Sequence, residues 1–304
     1  MEKLAIIDLG SNSVRMSIFE IEKDLSFRRT SNYRSMVMLS EGMLDDMCLT
    51  PKAQLRTIKA LLEYKHILET KGVTNLRAVA TAAVRKAKNG AQFVASVKDV
   101  TGITIEVIDG IREAYLDCLA ISKTLGVKDA VICDIGGGSS EFIALKNDKM
   151  QRDAISIPMG SRSLYEMFFS GGETPEAKAR AEIFIDQKLS QISWLEKMQS
   201  TPIIGIGGTL RALSKYHAND TSAETVESHK ILSCEIDTLF ENISAANIFK
   251  RRQMPGIGKE RADIILSGLL PLMRLKDKTS APYLITTDVG LREGILFDFL
   301  NSGL

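Results

Sequence analysis

The sequence predicts an α/β protein of two domains built from one duplicated plan. Three observations predict it: a strand–aspartate–turn–strand unit that occurs twice, an alternation of strand-like and helix-like segments, and a length of 304 residues, more than one hydrophobic core usually holds. A cleft between the two domains is the expected ligand site.

The repeat is explicit. Leu4-Ala5-Ile6-Ile7-Asp8-Leu9-Gly10-Ser11-Asn12-Ser13 is echoed by Ala130-Val131-Ile132-Cys133-Asp134-Ile135-Gly136-Gly137-Gly138-Ser139. Each copy reads as a buried strand ending in aspartate, a turn of small residues and a second strand, Val14 to Ile21 or Glu141 to Leu145. Between the copies, Leu55, Ile58, Leu61, Leu62 and Leu68 recur at helical spacing and predict a helix over Pro51 to Thr70. A strand Leu76 to Ala80, a helix Gln92 to Thr101, a strand Ile103 to Ile108 and a helix Ile111 to Leu125 follow. Gly126-Val127-Lys128-Asp129 makes the junction, giving domains 1–125 and 126–304, with the last helix expected to pack back on the first domain.

The second half alternates in the same way. A strand near Ala154 to Ile157 precedes helices from Ser161 and over Pro175 to Met198, and a strand Pro202 to Ile206 runs into Gly207-Gly208-Thr209. A helix Arg261 to Leu275, a strand Tyr283 to Thr286 and a helix Leu291 to Leu300 complete the chain. His217 to His229 and Gln253 to Lys259 read as loops, the latter marked by Pro255, Gly256 and Gly258.

Composition narrows the function. The apolar fraction of 44% and charged fraction of 25% are those of a globular protein. A net charge of +1 argues against a nucleic-acid polymer or membrane surface as partner, since both demand a large positive field. Cys48, Cys118, Cys133 and Cys234 lack the C-x-x-C spacing of a zinc site or a disulfide framework. No apolar run reaches the roughly twenty residues that span a bilayer, and the first residues lack a basic n-region, so a cytoplasmic location is expected. Trp194 and the two long amphipathic stretches are read as core packing.

Asp8 and Asp134 close strands where open α/β sheets bind ligands, and small residues follow at once. Glycine turns let backbone N–H groups approach a phosphate. The aspartates repel phosphate, so their sensible role is to hold a hydrated Mg²⁺ that bridges to it. A single aspartate before glycine is common in turns; two in equivalent places point to a site. Gly205-Ile206-Gly207-Gly208-Thr209 opens a helix carrying Arg211, which suits a phosphate or simply a tight connection.

The ordered segments Asp8-Leu9-Gly10-Ser11-Asn12-Ser13, Ala80-Thr81-Ala82-Ala83-Val84-Arg85, Asp134 to Glu141 and Gly207-Gly208-Thr209 resemble the motifs of the exopolyphosphatase / guanosine pentaphosphate phosphatase (Ppx/GppA) family. Pro158-Met159-Gly160, Glu260-Arg261-Ala262-Asp263 and Gly290-Leu291-Arg292-Glu293-Gly294 extend the resemblance over almost the whole chain. It implies two ribonuclease-H-like domains of the actin-like ATPase, sugar kinase and Hsp70 superfamily, hinged about a cleft, in a short two-domain form. It also implies release of a terminal phosphate from inorganic polyphosphate or guanosine pentaphosphate with Mg²⁺, or alternatively Mn²⁺, and a homodimer.

By the same resemblance, Glu113 orients or deprotonates the attacking water, a carboxylate's task here because no histidine lies in any motif. Asp134 and Glu141 form the metal and water-positioning set, with Asp8 contributing. Gly136, Gly137, Gly138 and Ser139 donate backbone N–H groups to one phosphoryl group while Ser11 and Asn12 hold its neighbour. Gly207, Gly208 and Thr209 add donors, and Arg85 and Arg211 clamp the charge of the loosening phosphoryl group. Arg15, Arg261 and Arg292 rank second, each equally readable as a structural ion-pair member.

Two departures bear on substrate choice. Met38 stands where many relatives have a basic residue, and Arg162 sits one position earlier than usual. Long relatives carry extra helical domains that grip polymers, so a two-domain form is expected to hold long polyphosphate weakly. An ATP-dependent kinase of the same superfamily and a non-catalytic sensor of guanosine polyphosphates are the alternatives. The central expectation is that the two acidic turns converge across one gap with an arginine opposite.

Overall fold

A computed structural model describes residues 2–43, 46–147, 149–150, 154–219 and 228–302. The chain divides into two units, 1–116 with 291–304, and 117–290.

In the first unit, β1 (Glu2–Leu9), β2 (Ser13–Ile21) and β3 (Phe27–Met36) form an antiparallel meander. Helix α1 (Pro51–Thr70), strand β4 (Asn75–Ala80), helices α2 (Ala82–Lys86) and α3 (Gly90–Thr101), β5 (Glu106–Val107) and α4 (Gly110–Thr124) follow. The sheet order is β3-β2-β1-β4-β5, with β4 parallel to β1 and β5 parallel to β4. Alternation along the central strand explains its two-sided burial: Ala5, Ile7 and Leu9 enter one core, Leu4 and Ile6 the other. Helix α1 starts where the sequence places it, because the Thr50 hydroxyl accepts a hydrogen bond from Ala53 N (3.3 Å) and Pro51 occupies the first turn.

The second unit repeats this frame. Strands β6 (Ala130–Ile135), β7 (Ser140–Lys146), β8 (Lys149–Met150) and β9 (Ile155–Ile157) lead to α5 (Ser161–Leu164), a π-helical turn (Tyr165–Phe169) and α6 (Pro175–Leu189). Thr174 caps α6 through Ala177 N at 3.2 Å, again before a proline. Then come β10 (Ile203–Ile206), α7 (Gly208–His217), β11 (His229–Leu232), α8 (Ser233–Ala245), α9 (Ile248–Arg251), α10 (Gly258–Arg261), α11 (Ile265–Thr279), β12 (Tyr283–Thr286) and α12 (Leu291–Asn301), the last belonging to the first unit. The sheet runs β11-β12-β10-β6-β7-β8, with β9 also beside β7 and with β6, β10 and β12 mutually parallel.

The duplicated plan is therefore present as two sheets, each built round the same hairpin. Differences from the sequence reading have physical causes. Strand β3 escapes the hydrophobic pattern because its residues are mostly exposed. Of Ile103 to Ile108 only two residues join the ladder, although Ile103, Ile105 and Ile108 are buried. The helix expected over Pro175 to Met198 ends at Leu189, after which a 3₁₀ turn (Ser193–Lys197) places Trp194 and Leu195 in the core. Within the expected His217 to His229 loop, residues 220–227 lie outside the described residues, and His229 opens β11. The division between units falls inside α4, between Leu116 and Asp117, and not at Gly126 to Asp129.

Motif residues near the end of the chain hold α12 on its own unit. The Arg292 guanidinium donates to Ser17 Oγ (2.8 Å) and Asn32 Oδ1 (2.7 Å), Arg29 pairs with Glu293 at 3.1 Å, and Arg112 pairs with Asp298 at 2.5 Å. Gly294 lets the helix lie against the backbone of Leu116, where a Cβ would overlap. Arg292, 3% exposed, is thus a structural tie.

At the far end of α7, His217 Nδ1 lies 2.7 Å from His229 Nε2, joining the helix to β11. Burial first, then the His217 charge, holds His229 below its usual 6.5. The folded state therefore favours the neutral ring, so its stabilising contribution is complete above pH 6.5 and is lost as the pH falls below that value. Thermal melts between about pH 7 and about pH 5.5 are expected to show a falling Tm, and His229→Gln to flatten that slope.

Candidate active site

Each hairpin turn is shaped by what captures its carbonyl groups. In the second unit, Gly136 O accepts from Ser161 N (2.9 Å) and Gly137 O from Arg162 N (2.9 Å) and Ser163 N (3.1 Å), while Gly138 O accepts from Ser163 Oγ (3.4 Å). Across a trans peptide the carbonyl and the following N–H point in opposite directions, and the chain has no cis peptide bonds. The N–H groups of Gly137, Gly138 and Ser139 consequently line the side away from α5, as an anion-binding nest requires. The Gly136 N–H is not one of these donors, since it closes the turn on Ser139 O at 3.0 Å. Gly160 brings the two segments together; a Cβ there would overlap the Gly137 carbonyl and the Gly138 nitrogen.

The first unit uses the same device with a different segment. Ser11 O accepts from Ser40 N (3.1 Å), and Asn12 O accepts from Val37 N (3.1 Å) and Met38 N (2.9 Å), which turns the Asn12 and Ser13 N–H groups the other way. Met38 adopts φ +43°, a left-handed conformation uncommon for a non-glycine residue, where residues 37–40 fold over the turn. Ser11 and Asn12 are 3% and 8% exposed, and Asn12 Oδ1 is buried without a hydrogen-bond partner among the described residues.

Carboxylates stand beside each turn. Asp134 and Glu141 are directly opposed in the β6–β7 ladder, so both side chains share one face of the sheet. Glu141, 1% exposed, accepts a 2.6 Å hydrogen bond from Ser156 Oγ. Burial, then the negative field of Asp134 and Glu141, pushes the Cys133 thiol well above its usual range. In the first unit the corresponding ladder partner of Asp8 is Arg15, which itself opposes Arg34 on β3.

Among the described residues no three His, Cys, Asp or Glu side chains form a metal-holding group. Mg²⁺ does not need one, because it keeps several waters and takes one or two carboxylates plus phosphate oxygens. The Asp134–Glu141 pair fits that donor set. Asp8, opposed by a guanidinium, fits it less well.

Glu113 lies in the first turn of α4, which Asp109 caps through Arg112 N at 2.7 Å. Arg85, in α2, donates from Nη1 to Glu113 Oε2 (3.1 Å) and to Ile108 O (2.8 Å). The structure therefore brings these two predicted residues together and gives Arg85 a partner the sequence did not reveal. Both follow ends of parallel strands, as Thr81 N bonds Leu9 O (3.2 Å) and Ile108 N bonds Ala80 O (3.1 Å).

The third glycine turn meets the second. Gly207, at φ +99°, sits so close that a Cβ would stand 2.5 Å from Ile135 O and 2.8 Å from Asp134 Oδ1. Gly208 opens α7 and is packed against the Arg261 guanidinium, which a Cβ would overlap. Thr209 is 1% exposed, with its hydroxyl turned toward Gly268. Arg211, predicted as a clamp, pairs with Asp288 at 2.8 Å, and Arg162 with Asp263 at 3.4 Å. Arg261, ranked second in the sequence, is thus the guanidinium at the glycine turn. Asp288, Ser156 and Arg34 were missed, since nothing local distinguishes them from ordinary surface or strand residues.

Two duplicated α/β units with phosphate-type turns, one of them beside a carboxylate pair, define a class of proteins that handle phosphoryl groups. Residues 17–303 match the model of the Ppx/GppA phosphatase family, and the chain belongs to that family. It is 27% identical to a putative exopolyphosphatase of Haemophilus influenzae, over 98% of this chain and 91% of that protein. It is 29% identical to a bifunctional 3-dehydroquinate synthase/phosphatase of Fusobacterium nucleatum, over 93% of this chain but only 44% of that protein, so it spans less than half of that relative. The crystal structure of an Aquifex aeolicus Ppx/GppA family member superposes with a TM-score of 0.81 at 28% identity, covering 100% and 99% of the two chains. An exopolyphosphatase from Cytophaga hutchinsonii has the same fold, with a TM-score of 0.91 at 24% identity over 99% and 98%. Among the described residues no helix is long and apolar enough to cross a membrane.

The backbone contact at Gly160 gives a direct test. Gly160→Ala is expected to lower stability by about 1–3 kcal/mol, because backbone cannot yield as a flexible side chain does. Gly171→Ala, with nothing within 4 Å of its Cβ, is expected to leave it nearly unchanged; chemical denaturation of both variants checks the contrast.

Proposed function

We propose that this chain is a Mg²⁺-dependent phosphohydrolase that releases the terminal phosphate from inorganic polyphosphate or guanosine pentaphosphate. The observation that carries this reading is the Asp134–Glu141 pair standing beside a turn whose captured carbonyls direct three successive N–H groups the opposite way. Family membership and the Aquifex and Haemophilus relatives support the reaction class.

The residues divide the work. Asp134 and Glu141 would hold Mg²⁺, which when bound neutralises phosphate charge and orients phosphate oxygens. Backbone donors from Gly137, Gly138 and Ser139 bind phosphoryl oxygens, where hydrogen bonds to the charged form are strongest. Glu113, its carboxylate oriented by Arg85, accepts a proton from the attacking water. The new bond forms between that water oxygen and the terminal phosphorus, and the bond to the bridging oxygen breaks. The bridging oxygen leaves with the rest of the substrate, so the products are orthophosphate and the donor shortened by one phosphate. Because the phosphoryl transition state is loose, positioning and electrostatics suffice and no covalent nucleophile is required.

Glu113→Gln keeps the size of the side chain and a hydrogen bond to Arg85 while removing the base. Phosphate release from tripolyphosphate, long polyphosphate, ATP and guanosine pentaphosphate should need a divalent cation and fall by about 100- to 10,000-fold in the variant, with substrate binding retained. Unchanged turnover would remove Glu113 from the mechanism. Tight nucleotide binding with no release under Mg²⁺ or Mn²⁺ would favour a sensor, and release only with an added acceptor a kinase.

A further inference from the structure

Three side chains form one row across three strands of the second sheet. Asp134 on β6 opposes Glu141 on β7, and Glu141 in turn opposes Ser156 on β9. Directly opposed residues in an antiparallel ladder project to the same face, so the hydroxyl is delivered to the second carboxylate by register alone. The bond formed is 2.6 Å from Ser156 Oγ to Glu141 Oε1, the length of a charge-assisted hydroxyl–carboxylate hydrogen bond.

The setting makes that bond consequential. Glu141 is 1% exposed, so little water is at hand to replace a lost donor. A glutamate carries three side-chain torsions, and a fixed donor on one oxygen removes much of that freedom from the other. The same short segment also shapes the glycine turn: two residues past β9 comes Met159, whose carbonyl accepts from Ser140 Oγ at 3.0 Å, and then, past Gly160, Ser161, Arg162 and Ser163 donate to the turn's carbonyls. Carboxylate and phosphate nest are thus set by one brace.

We infer that Ser156 is a positioning residue that fixes the Glu141 carboxylate for the divalent cation. The inference rests on the functional reading above. The role assigned to Ser156 is exerted through Glu141, to which its hydroxyl donates. Donors that orient a metal-holding carboxylate are typically worth about 10- to 100-fold in metal affinity or activity.

The test uses the full chain and Mn²⁺ alone as the probe, with free Mn²⁺ read by electron paramagnetic resonance in the absence of substrate. Ser156→Ala is expected to weaken Mn²⁺ binding by about tenfold and to lower kcat with KM for the phosphate substrate unchanged. Ser156→Thr restores the hydroxyl and should recover both. Ser156→Val matches threonine in shape without the hydroxyl and should behave as alanine does, so the Thr/Val pair carries the test if alanine fails to fold. Mn²⁺ affinity within about twofold of the unsubstituted protein in Ser156→Ala and Ser156→Val would overturn the inference while leaving the phosphohydrolase reading intact. A parent protein that binds no Mn²⁺ and releases no phosphate would overturn both.

Discussion

The site depends on which way a few peptide groups face. A turn of small residues after a strand is chemically neutral until its carbonyls are committed. In this chain Ser161, Arg162 and Ser163 commit those of residues 136–138, and Val37, Met38 and Ser40 commit those of residues 11 and 12. Planarity of the peptide then obliges the following N–H groups to face the other way. Glycine serves this geometry. Gly160 supplies the close approach to the backbone of Gly137 and Gly138, since a Cβ on Gly160 would overlap it.

Several residues that look functional in the sequence turn out to support this frame. Arg292 and Glu293 tie α12 to β2 and β3, and Gly294 lets the helix reach the backbone of Leu116. Arg85 directs Glu113 while also bonding Ile108 O. Arginine is well suited to such double duty, because its planar fork can satisfy a carboxylate and a carbonyl at once. Arg211, expected as a clamp, pairs with Asp288, while the second-ranked Arg261 lies on Gly208.

The legible parts of the molecule were those encoded locally. Both hairpins, the proline-started helices at Pro51 and Pro175, the glycine turns and Glu113 at a helix start all follow from short stretches of residues. Illegible were features set by partners distant in sequence. Strand β3 has no apolar alternation to betray it. Asp288 meets Arg211 only because β12 lies parallel to β10, and Ser156 meets Glu141 only because β9 pairs with β7 in one register. Shifting that register by one residue would turn the hydroxyl to the opposite face, which no local pattern forbids.

Comparing the two copies shows what duplication made possible. The row Asp8, Arg15, Arg34 in the first sheet corresponds to Asp134, Glu141, Ser156 in the second. Backbone frame, turn and leading aspartate are shared, while the next two positions change from two guanidiniums to a carboxylate and a hydroxyl. A carboxylate facing guanidiniums is partly neutralised. In the second sheet the same positions hold a second carboxyl group and a neutral hydroxyl donor. One scaffold thereby sets acidic or basic side chains beside like turns by changing residues at matched rungs of the ladder.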